Sequence, residues 1–138
     1  MEKEARIKWT EVHSVKIMTF DKQHERLFEI LNDFYEEVNA GVGNEELLKV
    51  IDLFLEYATY HFRFEENIMK LHKFPAYKFH KKQHDLFLNK VRDFKIRYEG
   101  GRLLLTLEIT QYIKDWIERH MDETDRIYSD FLLERGVR

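Results

Sequence analysis

The sequence predicts an all-α protein, an up-down-up-down four-helix bundle with an ordered N-terminal arm. Three observations carry the prediction. One proline and five glycines in 138 residues leave few breaks. The stretches between the breaks repeat apolar residues at the helical period. The breaks themselves are short, which sets consecutive helices antiparallel as neighbours. The length suits one domain over 1–138, with an arm at 1–18 and the bundle at 19–135.

The first helix is expected to open near Thr19 or Asp21, either of which suits an N-cap, with Asp21 favoured as a cap over an acceptor for a histidine. Its inward stripe reads His24, Leu27, Phe28, Leu31, Phe34, Tyr35 and Val38, and Gly41 and Gly43 end it. Asn44 is the expected cap of helix two, with Glu45 and Glu46 in a first turn whose dipole favours negative charge. That helix carries Leu47, Leu48, Ile51, Phe54, Leu55, Ala58, His61, Phe62, Glu65, Ile68 and Met69 inward and runs to about Leu71. Pro75 fits the first turn of helix three, whose stripe is Phe79, His80, His84, Phe87, Leu88, Val91 and Phe94, ending at Gly100-Gly101. Helix four runs from about Leu103 to Leu133, with Ile109, Ile113, Trp116, Ile117, His120, Thr124, Ile127 and Phe131 inward. The arm holds Ile7, Trp9, Val12, Val15 and Ile17, apolar enough to pack along the bundle.

Composition narrows the function. At 43% hydrophobic and 36% charged, with net charge -3, the chain is a foldable soluble mixture with no basic stripe for nucleic acid or anionic lipid. The charged segment Met1-Glu2-Lys3-Glu4-Ala5-Arg6 is no secretory leader, and no run reaches the roughly 18 apolar residues of a membrane span. The expected location is the cytoplasm. Cysteine is absent, which excludes disulfides, thiolate zinc sites and iron-sulfur clusters. Any metal is held by nitrogen and oxygen.

Five of the seven histidines supply that chemistry, together with two acids. They are His24; His61 with Glu65; His80 with His84; and His120 with Asp125, each pair about one helical turn apart. Burying such groups unpaired costs roughly 2–7 kcal/mol apiece, more for a charge. Their heights agree: His24 lies about 17 residues before the first turn and His61 about 18 after it, near 26 Å from that end at about 1.5 Å per residue. His80 and His84 stand about as far from the second turn as His120. Five imidazoles, two bridging carboxylates and one solvent-derived bridge give eleven bonds, one short of two octahedra; the donor set suits iron, manganese, copper or zinc, and the lack of thiolate favours a redox-capable first-row pair such as iron. A ferritin-like centre needs Glu-x-x-His, which no histidine here has. A zincin motif fails because His24-Glu25-Arg26-Leu27-Phe28 lacks the second histidine. His13 and His72 are read as an arm residue and a helix-end residue, and Glu66 as a solvated charge turned away from the site.

The pattern Trp9, Asp21-Lys22-Gln23-His24, His61-Phe62-Arg63-Phe64-Glu65-Glu66, His80-Lys81-Lys82-Gln83-His84 and Trp116-Ile117-Glu118-Arg119-His120 ending at Asp125 resembles the hemerythrin family, in its single-domain bacterial form, over nearly the whole chain. The resemblance implies two iron ions, ferrous or ferric. His80, His84 and His120 would saturate one, His24 and His61 would hold the other, and Glu65, Asp125 and an oxo or hydroxo group would bridge them. It also implies that Leu27 and Ile117 flank a bound gas, with Trp116 and Phe28 completing an apolar pocket. One departure touches the arm: the position after Val15, often glycine in bacterial members, is Lys16.

A dry pocket without an evident general acid holds a small apolar molecule better than it activates one. The expected function is therefore reversible dioxygen binding at a non-haem di-iron centre, for storage, transport or delivery, and not catalysis. Dioxygen is the expected partner, with a possible protein acceptor of oxygen and a monomer favoured. The alternatives are an oxygen or redox sensor module, and a di-iron enzyme acting on nitric oxide or peroxide with Tyr57, Tyr77 or Thr124 as polar helpers.

Overall fold

A computed structural model describes residues 14–41, 43–99, 105–120 and 125–137. These residues form five α-helices and no strand: α1 Met18–Ala40, α2 Asn44–Leu71, α3 Tyr77–Glu99, α4 Leu105–Arg119 and α5 Asp125–Glu134. α1 packs on α2, α2 on α3, α3 on α4, and α4 returns to α1, so the helices close a ring. No described helix is long and apolar enough to cross a membrane.

The helix ends follow the local chemistry closely, with corrections. α1 opens at Met18 behind an extended Ile17, and neither Thr19 nor Asp21 caps it. Asp21 instead reaches back: its carboxylate accepts the Ser14 hydroxyl at 2.6 Å and the Val15 N–H at 2.9 Å. That clamp lays 14–17 over the first turn, with Val15 and Ile17 buried. Ile7, Trp9, Val12 and His13 lie outside the described residues. The clamped turn passes through Lys16 at φ +62°, the left-handed region that makes glycine the easy residue here. At the other end Gly41 takes φ +73° and donates to the carbonyls of Glu37 and Val38, closing α1 in the expected way.

α2 begins at Asn44 itself, behind an extended Gly43, and ends at Leu71 with His72 at its cap position. The chain then turns sharply, with Phe74 N–H on the Met69 carbonyl at 2.8 Å. This turn buries Phe74, and it includes Pro75, so α3 starts two residues beyond the proline. Phe79, expected inward, is 61% exposed because Phe74 fills that end of the core.

The expected fourth helix is described in two parts, α4 to Arg119 with a wider π-type turn at His120, and α5 from Asp125. Residues 121–124, including Thr124, lie outside the described set. Beyond the turn the buried set is Asp125, Tyr128, Ser129 and Leu132, whereas Ile127 is 65% exposed. The inward stripe has slipped by one residue, as an inserted residue in a helix requires.

Two apolar clusters result. The larger joins residues such as Leu27, Leu31, Phe54, Phe62, Phe87, Val91 and Ile117 from four helices. The smaller joins Val15, Ile17, Phe20, Met69, Phe74, Tyr128 and Leu132. Along α1 and α2 the polar buried residues His24 and Glu65 fall between members of the two clusters, which places the site in a layer closed on both sides.

Candidate metal centre

All seven residues singled out by spacing converge, and all are buried: His24, His61, Glu65, His80, His84, His120 and Asp125. Spacing explains six of them directly. The seventh needs the π-type turn, because positions five apart diverge by about 140° on an ordinary α-helix and come nearly into line on a wider one. His120 and Asp125 thereby meet, Nε2 to Oδ1, at 2.9 Å.

The histidines divide into three and two, and each carboxylate spans the division. Asp125 Oδ1 faces His120 and, at 3.3 Å, His80 Nε2, while its Oδ2 lies 3.4 Å from His24 Nε2. Glu65 Oε1 faces His84 Nε2 at 3.5 Å, while its Oε2 lies 3.3 Å from His61 Nε2 and 3.5 Å from His24 Nε2. Three compatible ligand groups follow: His80 with His84 and His120, His24 with His61 and Glu65, and Glu65 with His80 and Asp125.

Three residues that sequence reasoning left out or misplaced hold the ligands. Gln23, buried on α1, accepts the His61 Nδ1 proton at 2.5 Å. Glu66 is 3% exposed, not solvated, and accepts from His84 Nδ1 at 2.7 Å. It is tied outward through Arg63, at 2.7 Å, to Asp85 and Lys81. Tyr128 donates its hydroxyl to Glu65 Oε2. The signals were faint: Gln23 precedes a ligand, Glu66 follows one, and Tyr128 is legible only once the register shift is known. Aromatic faces complete the packing. Phe62 stacks on His84 at 3.9 Å and 7°, and Trp116 on His120 at 4.2 Å and 13°.

These contacts test whether a cation fits. Gln23 and Glu66 offer only acceptor oxygens to the ring nitrogens they meet, so the Nδ1 atoms carry the protons and the Nε2 lone pairs point inward. His84 Nε2 and His120 Nε2 then face each other at 3.2 Å. Both ring nitrogens of His24, together with Glu65 Oε1, His80 Nε2 and Asp125 Oδ1, are buried without a hydrogen-bond partner. Converging lone pairs and orphaned donors are what a metal ion satisfies, and neighbouring ligand atoms of a six-coordinate ion with bonds of about 2.0–2.2 Å sit about 3 Å apart.

The charges agree. Burial alone would push the Glu65 carboxyl up, but the imidazoles of His61 and His24 hold it well below the usual range. Asp125 is likewise drawn down against burial by His120. His24 and His80 go up despite burial, His24 through Glu65 and Asp125, His80 through Asp125. His84 goes the other way, lowered by burial to about 4. The same attractions between imidazole and carboxylate raise His24 and His80 and lower Glu65 and Asp125.

Beside the ligands lies a cavity of about 10 Å³, roughly the room of one very small molecule. His24, His61 and His120 reach it, and Leu27, Trp116 and Ile117 wall it with Phe54, Ala58, Phe62 and Phe87. Phe28, expected as a wall, is buried in the adjoining core instead of lining the cavity.

Residues 15–132 match the family model described as the hemerythrin HHE cation binding domain. The chain belongs to the hemerythrin family. A bacteriohemerythrin of Clostridium acetobutylicum is 30% identical over 128 residues, covering 88% of this chain and 98% of its relative. One from Methylococcus capsulatus is 26% identical over 113 residues, 81% and 85% of the two chains. A solved wild-type hemerythrin has a TM-score of 0.80 at 25% identity, covering 90% of this chain and 95% of that one.

Proposed function

We propose that the chain binds dioxygen reversibly at a pair of iron ions, acting as a carrier or store and not as an enzyme. The observation that supports this best is the asymmetry of the centre: three histidines on one side, two on the other, and a small apolar cavity that reaches both histidines of the two-histidine side but only His120 of the three. Iron held by these residues would supply the electrons that convert dioxygen to a bound, reduced form.

The chain's own groups do the rest. Gln23 and Glu66 orient His61 and His84 so that Nε2 faces inward. Glu65 and Asp125 present one oxygen to each side. Leu27, Phe54, Ala58 and Ile117 exclude water, which slows proton delivery and keeps the ligand releasable. On this reading the helices form a single-domain up-down-up-down bundle, with the arm over one end, in a cytoplasmic protein needing neither membrane nor nucleic acid.

One contact favours a second reading, a di-iron enzyme acting on peroxide or nitric oxide. Tyr128 brings a hydroxyl to Glu65, and burial, with the charges of Asp125 and Glu65, keeps its pKa well above the ordinary phenol so that it retains its proton. Anaerobic reduction of the purified protein, admission of oxygen and its removal separate the two. Two irons per chain and a visible spectrum that returns on degassing support the carrier. Rapid passage to a stable oxidised form with consumption of reductant supports the enzyme, and zinc or no metal overturns both.

A further inference from the structure

Four rings lie in a near-parallel row from the ligand layer to the surface. Trp116 stacks on His120 at 4.2 Å and 13°, Phe87 on Trp116 at 4.0 Å and 18°, and Tyr112 on Phe87 at 5.8 Å and 19°. Tyr112, Trp116 and His120 stand four residues apart on one face of α4 and its closing turn, with Phe87 of α3 filling the gap between the first two. The outer end is open: Tyr112 and Trp116, with Gln83, Leu86 and Arg119, line a surface groove of about 400 Å³ that reaches His120. Among the described residues no other ligand histidine heads such a near-parallel row. His84 is stacked by Phe62, which is itself buried, and His24 and His61 meet each other edge to face.

We propose that this row is an electron path, with Trp116 as its relay and Tyr112 as its surface terminus, serving one-electron donors that dock in the groove. Indole and phenol are the two side chains here that give up an electron readily, and both are partly exposed beside the groove where their protons find water. Phe87 is not oxidised, and it bridges the two by contact. The proposal rests on the iron reading of the site, because it needs an oxidant there, and the chemistry balances when that oxidant is hydrogen peroxide. Peroxide takes two electrons and two protons to become two waters. When the pair carries a single reducing electron, the metal site supplies that one and Tyr112 the other, through Trp116, and solvent supplies the two protons. The Tyr112 O–H breaks, its proton passes to groove water, and a neutral phenoxyl radical remains. A donor of the ascorbate class in the groove returns a hydrogen atom and restores the phenol.

The test is radical trapping in the metal-loaded protein. Iron content is measured first, then the protein, reduced by one electron per iron pair, is mixed with hydrogen peroxide and frozen for electron paramagnetic resonance. A tyrosyl signal is expected in the unaltered protein, a tryptophanyl signal in Tyr112→Phe, and loss of both in Trp116→Phe, a change that keeps a ring against His120. Added ascorbate should erase the signal in the unaltered protein within the mixing time. Tyr128→Phe is the control, since that hydroxyl touches Glu65 directly. A tyrosyl signal that survives Tyr112→Phe and Trp116→Phe but vanishes in Tyr128→Phe overturns the path. Full iron loading with no radical also overturns it, whereas absence of iron overturns the iron reading on which it stands.

Discussion

Glu66 sits about 100° around the helix from Glu65, a rotation that reads in sequence as a turn toward solvent. It is buried because α3 lies on that side of α2 and offers His84 to it. Sequence spacing finds ligands because they repeat at the helical period, but it is blind to partners contributed across helices, and Gln23 and Glu66 are of that second kind. Losing such a partner of a ligating histidine typically costs 10–100-fold in metal affinity. Glu66→Ala should weaken iron binding by about that factor in a chelator competition, and Glu66→Gln, which keeps an acceptor oxygen, by less. Equal affinity in both variants would remove Glu66 from the site. At the cavity, a polar residue at Leu27 or Ile117 should hasten oxidation of the oxygenated protein by admitting water. Unchanged oxidation rates would refute the dry-cavity argument. Lys16 provides a test outside the site. Its left-handed backbone costs about 1–2 kcal/mol, and a glycine there costs roughly 0.5–1 in the unfolded chain. Lys16→Gly should then raise stability by about 0.5–1 kcal/mol in a denaturant titration.

Three of the helices, α1, α2 and α3, end within a residue or two of where the sequence places a glycine or the end of an apolar stripe. The ends of α2, and of α1 at Gly41, are the clearest. The exception is the expected fourth helix. Apolar periodicity continues through it, so Ile127 and Phe131 read as inward. The π-type turn at His120 shifts that reading by one residue, moving Tyr128 and Leu132 to the core in place of the exposed Ile127, while Phe131 packs half-buried against the same cluster. The five-residue gap between His120 and Asp125 was the only visible trace of the shift. Two substitutions separate the registers. Ile127→Lys should change stability by no more than about 0.5 kcal/mol, as at an exposed position. Leu132→Ala should cost about 2–5 kcal/mol, as in a packed core. Thermal unfolding of the two variants side by side decides it, and the reverse ranking would restore the register read from the sequence.

For the whole molecule, the buried charges set a pH profile that metal should invert. In the metal-free protein His24 and His80 titrate above the ordinary 6.5, so their contribution is complete below that value and lost as pH rises through their folded pKa values. His84, held to about 4, acts oppositely. Between 6.5 and about 4 the unfolded imidazole takes a proton that the folded one refuses, and stability falls with pH. Glu65 and Asp125, both held low, contribute above the ordinary carboxyl range and lose that contribution as pH drops through their folded values. The metal-free chain should thus be most stable near pH 6.5. Metal needs unprotonated ligands, so the loaded protein should gain stability from pH 6 to 8 while the metal-free one loses it. Melting curves with and without chelator across that range test this, and parallel slopes would contradict it.

Glu65 and Asp125 each reach both halves of the centre, one oxygen to each side. A first ion would spend part of its binding energy fixing both carboxylates where a second needs them, so the second would arrive at a finished half-site. Filling of the two sites should then be cooperative, with fewer half-loaded molecules in a metal titration than two independent sites would give.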